Sequence, residues 1–267
     1  MMFGNITFIM LDLVVFMVLV AYFADRGLGN MSQSLRQLAL FLLDKAPVGL
    51  VDLFDKGEGK GARNWMMLGG LWFCVAATLG FLQTWLRYDS TALDSLSSVG
   101  WSYNADALAQ VTDLVLVWGG FGMVLIGAGL VIQSRAAGAA LASEANATLV
   151  AFAWSVLILV NILISIFIDV GRFEQTLFNL IFAALAGALL LNHLLTLAER
   201  GEGQPIEIPS WMLILGHTVL VWGLLANAFG HFTSNTQMEW ISSSVVSGWF
   251  PLSLALAVMT YSVAKSS

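Results

Sequence analysis

Seven stretches of this chain run for about 20 residues with almost no charge, the length of helix that crosses a ~30 Å hydrocarbon slab. They cover roughly residues 5–24, 64–86, 107–133, 148–169, 174–197, 210–232 and 240–263. Together they take nearly all the apolar residues and leave no soluble domain over. Of 267 residues, 58% are hydrophobic and only 10% charged, where soluble domains carry about 25% charged residues. The expected fold class is therefore all-α: a polytopic membrane helix bundle of about seven transmembrane helices, with the lipid bilayer as its solvent. The first run is expected to stay in place as a helix. It lacks a basic leading segment, carries Asp12 at its centre, and no small-residue cleavage site follows it closely.

Between the first two runs lies "SQSLRQLALFLLDKAPVGLVDLF", with apolar residues at helical spacing, charges on the other face and Pro47 as a breaker. It reads as one interfacial helix, and "DKGEGKGARNW" as a flexible connector. The chain divides into residues 1–63, an extra N-terminal span with the interfacial helix, and 64–267, a six-helix bundle. Nine of the eleven Lys and Arg residues fall in loops on one side by alternation, against Arg87 and Arg172 on the other. That bias puts the N-terminus outside and the C-terminus in the cytoplasm, most simply in a prokaryotic cytoplasmic membrane. Trp65, Trp85, Trp101, Trp211, Trp240 and Trp249 are expected near span ends as an interfacial aromatic belt. The net charge of −6 argues against a nucleic-acid partner. One cysteine, Cys74, gives neither a disulfide framework nor a cysteine-based zinc site.

Ionisable groups at membrane depth cost on the order of 2.5–3.5 kcal/mol on insertion scales, so they are the first functional candidates. Asp12 is the deepest, and Asp113 lies about two turns inside the third span. Both are candidates for a proton relay; the plainer reading of Asp12 is a hydrogen bond to a neighbouring helix. Asp169 and Arg172 suggest an ion pair at the rim. His193 and His217 fall at similar depth on the fifth and sixth spans, an arrangement that could hold a haem b. The plainer reading makes Asn192–His193 an interfacial pair and has His217 bonding a carbonyl or an Asn side chain. His231 is expected to touch water. Asn161, Asn179 and Asn227 are read as interhelical hydrogen bonds, and the glycines of "LGGLWFCVAATLG" and "GGFGMVLIGAG" as close helix contacts. No metal-ligand spacing such as HExxH occurs, so no metal site is expected and no cofactor beyond that possible haem.

From residue 64 onward the pattern resembles a known family. The features are a span opening "NWMMLGGLWFCVAATLGFLQTW", a loop ending "GWSYNADALAQVTD", and a Gly-rich span closing "VIQSR". "IPSWMLILGHTVLVWGLLANAF" and "QMEWISSSVVSGWFPLSLALAVMTYSV" complete it. This order resembles the first six helices of the catalytic subunit of heme-copper oxidases, nearest the cbb-type oxidase and nitric oxide reductase branch. The resemblance implies an oxidoreductase setting and departs at the ligands. Val111 stands where the family places a haem-ligating histidine, "ALAQ" where it has an arginine-rich turn, and Ser243, Ser244 and Val245 where it supplies a copper ligand. The expectation is a non-catalytic integral membrane subunit of a respiratory-type complex, packed against other membrane subunits and not an enzyme by itself. The alternatives are a b-type cytochrome using His193 and His217, an ion- or proton-coupled carrier using Asp12 and Asp113, and a seven-helix retinal protein. The last requires a lysine buried mid-helix in the final span, and Lys265 is the sole candidate.

Overall fold

The computed structural model describes residues 2–26, 33–44, 54, 56–99, 105–167, 171–201 and 203–266. Among them the helices are α1 (Met2–Arg26), α2 (Gln33–Asp44), α3 (Lys60–Tyr88), α4 (Ala105–Leu114), α5 (Gly122–Ala137), α6 (Glu144–Phe167), α7 (Arg172–Ala198), α8 (Ile208–Thr233) and α9 (Thr236–Ser266). A π-helical turn, Val115–Phe121, joins α4 and α5 into one continuous rod. Seven helical rods are long and apolar enough to cross a membrane. Hydrocarbon offers the backbone no hydrogen-bond partners, and helices satisfy theirs internally. The chain is a multi-pass membrane helix bundle.

Six spans close a ring: α3 packs on α4–α5 and α6, α6 on α7, α7 on α8, α8 on α9, and α9 back on α5. α1 lies outside that ring along α8, where Ile9 and Leu13 meet Val219, Trp222 and Ala226. Loops rich in Lys and Arg mark one end of the bundle, termed here the basic end; the α8–α9 turn marks the far end. At the basic end α5 also reaches α7 and α8. Met123, Ile126 and Leu130 are fully or almost fully buried there and fill the centre of the ring.

The α3–α5 contact is close because glycines face it. A Cβ on Gly69 would meet Val124 at 2.7 Å, and one on Gly119 would meet the Trp72 side chain at 2.8 Å. Gly127 lies equally close to Ala62 and Trp65. This lets large indoles sit in the core with their N–H groups satisfied. Trp65 Nε1 donates to the carbonyl of Ala147 at 2.8 Å, and Trp72 Nε1 to Ser155 Oγ at 2.8 Å. Trp65 is thus fully buried and not part of an interfacial belt. Trp249 departs from that expectation too: it lies midway along α9, exposed on its outer surface. Trp85 and Trp240 are exposed near helix ends as expected, and Trp101 lies outside the described residues.

The amphipathic α2 seats Ala39 and Leu43 against Leu195 of α7. Asn146 Nδ2 donates to the Leu43 carbonyl at 2.8 Å, and Arg36 pairs with Glu199. The chain around Pro47 lies outside the described residues. The start of α3 is held by Glu144, whose carboxylate accepts from the backbone N–H groups of Gly59 and Gly61 at 2.7 and 2.8 Å. That is an anion at a helix N-terminus, where the free amides and the dipole favour it. At the far end α8 turns into α9 through Ser234, which adopts a positive φ of 56°, and Asn235, whose Oδ1 accepts from Met238 N at 3.2 Å. Gly223 of α8 faces Val246 of α9 with no room for a Cβ. Gly223→Ala is expected to force these two helices apart and cost about 1–3 kcal/mol by overpacking, read as a lower thermal midpoint in detergent.

Candidate functional site

In the far half of the ring the helices do not close on one another. They leave a cavity of about 510 Å³, within the range of roughly 300–1,000 Å³ usual for small-molecule sites. One wall is built of carboxamides: Asn161 from α6, Gln175 and Asn179 from α7, and Asn227 from α8. The facing wall is a row of hydroxyls on α9, Ser243, Ser244 and Ser247. Trp118, Phe178 and Phe182 supply aromatic surface, with Ile158, Leu224 and Val246 beside them, and His231 and Trp240 flank the far-end mouth.

Local structure explains each wall. The π turn at Val115–Phe121 brings Trp118 inward, where its ring stacks on Phe250 at 6.2 Å and 15°. Its carbonyl accepts from Trp154 Nε1 at 3.3 Å. Insertions of this kind are frequent at functional sites. The turn is possible because Gly119 and Gly120 lie directly against Trp72 and Phe73 of α3. In α9, Pro251 cannot donate to the carbonyl of Ser247, so the helix lacks one backbone hydrogen bond beside the serines. Ser243, Ser244, Ser247 and Trp240 are all exposed, so the cavity opens sideways beside α9 as well as at the far end.

Among the described residues the lining carries no Asp, Glu, Lys or Arg. At the mouth, Arg172 Nη1 and Glu239 Oε1 pair at 3.0 Å, and His231 Nδ1 stands 3.6 Å from the same oxygen. Arg172 therefore meets α9; Asp169, its expected partner, lies outside the described residues. The three asparagines do more than tie helices together. Asn227 Nδ2 reaches Asn179 Oδ1 only at 3.4 Å, and the buried Asn227 Oδ1 has no partner. Their equal depth was a usable signal: Asn161 and Asn227 precede the ends of α6 and α8 by six residues, and Asn179 follows the start of α7 by seven.

His193 and His217 do come together, in the basic half. Both are fully buried, with ring centroids 4.5 Å apart and planes tilted by 51°. His217 Nδ1 bonds the Leu213 carbonyl at 2.8 Å; its Nε2 and both nitrogens of His193 have no partner. Asn192 is buried as well, clamped to Ser143 through both ends of its amide, so Asn192–His193 is not an interfacial pair. Two axial imidazoles on one iron stand with centroids roughly 6 Å apart, given metal–nitrogen bonds near 2 Å, with the macrocycle between them. Rings in direct contact at 4.5 Å do not fit that arrangement. Among the described residues no group of three or more His, Cys, Asp and Glu is placed to hold a metal ion. From the cavity to this pair runs a chain of touching rings, Trp118, Phe250, His217 and His193.

The remaining candidates are dispersed. Asp12 accepts a 2.8 Å hydrogen bond from Trp222 Nε1, tying α1 to α8. Asp113 is exposed on α4, which packs on α3. The two carboxylates are thus carried by helices with different neighbours. Val111 packs against the main core, Val245 lies under α1, and Ser243 and Ser244 line the cavity. Lys265 sits in the last turn of α9, over the Tyr261 ring at 5.8 Å, not mid-helix.

Two substitutions check this account. Trp222→Phe is expected to weaken α1 docking by about 0.5–2 kcal/mol, the range of interhelical hydrogen bonds in membranes, measured by unfolding in detergent. His193→Leu is expected to leave the thermal midpoint unchanged or raise it, because it removes two buried polar atoms without partners. A fall of several degrees would show that the imidazole is satisfied by something bound.

No protein family, curated protein or solved structure matches the chain.

Proposed function

We propose that this chain is a membrane-embedded binding protein that holds a small uncharged molecule in the far-half cavity, with that end facing the outside of the cell. The observation that carries the reading is a lining of four carboxamides and three serine hydroxyls gathered from four spans, with no Asp, Glu, Lys or Arg among the described residues. Polar groups withdrawn from water cost about 1–3 kcal/mol each when unpaired, and helices free to pack would bring such groups onto one another. Here they border a space as well as one another: Asn227 Nδ2 meets Asn179 Oδ1 at 3.4 Å, and Asn179 Nδ2 donates to the Gln175 carbonyl at 2.9 Å. Polar groups arranged that way are complementary to a ligand. The Lys/Arg bias toward the basic end supports the orientation.

A second reading makes the chain a docking subunit of a respiratory-type membrane complex, and the two roles are compatible. It draws on the resemblance to the oxidase subunit and on one face of α3. There Gly70, Cys74 and Thr78 are exposed at four-residue intervals, and nothing lies within 4 Å of a Cβ built on Gly70. Small residues at that spacing let a second helix approach closely. Gly70→Leu is expected to abolish co-purification of a partner subunit while leaving the thermal midpoint unchanged.

The binding reading is tested by thiol access. With Cys74 replaced by Ser, Asn227→Cys is expected to react with a small, membrane-impermeant thiol reagent added from outside. A thiol at 227 that reacts only after unfolding would remove the cavity from consideration as a ligand site.

A further inference from the structure

We infer that the ligand of this cavity is an uncharged polyhydroxylated ring, a glycosyl group, and the inference rests on the binding reading above. Charge is the first discriminator. Among the described residues the lining holds no Asp, Glu, Lys or Arg, and its one titratable side chain, His231, stands at the mouth beside a Glu239 carboxylate that Arg172 already engages. A charged ligand would enter without a counter-charge, which is strongly unfavourable at low dielectric.

Hydrogen-bond polarity is the second. The polar lining is made of carboxamides and serine hydroxyls, each of which both donates and accepts. Such groups are matched by a ligand that donates as well as accepts, which hydroxyl groups do and carbonyl-only rings do not. Serine hydroxyls and carboxamides can then serve the remaining oxygens, because each donates and accepts.

Shape is the third. A sugar ring has polar edges and an apolar C–H face. The cavity sets carboxamide and hydroxyl walls against an aromatic surface formed by Trp118 and Phe182, and Trp240, 70% exposed, stands at the entrance. The sideways opening beside α9 admits either a free saccharide arriving from water or the head group of a glycolipid within the leaflet.

Purified without glycosidic detergents and placed in phosphatidylcholine nanodiscs, the protein is offered a panel of methyl gluco- and galactopyranosides in one arm. In a second arm the discs contain the matching glycosyl diacylglycerols. A saturable change in tryptophan fluorescence that is lost in Trp240→Phe is expected in at least one arm, with affinity reduced tenfold or more in Asn227→Leu and in Ser247→Leu. Ser247 is exposed, so the second variant tests the site without burdening the fold. Response to free glycosides assigns the site to soluble sugar; response to the lipid arm alone assigns it to a head group. Silence in both arms, equal response to phosphatidylglycerol, or response to hydroquinone without response to glycosides overturns the inference. In each of those cases the reactivity of Asn227→Cys decides separately whether the cavity is an open site.

Discussion

The close crossing of α3 with the α4–α5 rod is the contact on which the rest of the architecture depends. Gly69, Gly119, Gly120 and Gly127 bring the two backbones together, and dispersion between well-packed surfaces is the main force available where lipid removes the hydrophobic drive. That approach seats Trp65, Trp72 and Trp154 in the core with their indole N–H groups bonded. It also accommodates the π turn that aims Trp118 inward. Without the crossing, the aromatic surface under the cavity would have no support.

Polar side chains in the bundle meet two fates. Some are spent on holding helices together: Trp222 on Asp12, Asn192 on Ser143, Asn146 on the carbonyl of Leu43. These bonds join elements distant in sequence and explain how α1 and α2 attach to a ring that is complete without them. Others are buried without a protein partner among the described residues, including the side-chain polar atoms of His193, Gln133 and Ser210 in the basic half and the Oδ1 atom of Asn227 in the far half. Buried groups of that kind are ordinarily satisfied by ordered water or a bound molecule. The distinction separates structural polarity from the polarity available for function.

The two halves of the ring differ because of one helix. In the basic half, α5 reaches across to α7, α8 and α9 and fills the centre with Met123, Ile126 and Leu130. The histidine pair is sealed there, its rings touching, with no gap between them for a planar cofactor. In the far half the centre is left to the cavity, and α9, carrying serines where a close-packed helix would carry aliphatics, borders the opening.

Span number, helix class and the sidedness of charge were legible in the chain itself, because a hydrocarbon slab imposes a run length and an apolar composition that need no knowledge of neighbours. Close contact at the glycines was legible for the same local reason, and a hydrogen-bonded His217 was too, although the choice of the Leu213 carbonyl over an Asn side chain came from the structure. The burial of Trp65, the assembly of Asn161, Asn179 and Asn227 around one space, the π turn at Trp118 and the pairing of Arg172 with Glu239 were decided only by tertiary structure. Each depends on how the rods rotate and cross, and that is set by the sum of many weak side-chain contacts between segments far apart in sequence.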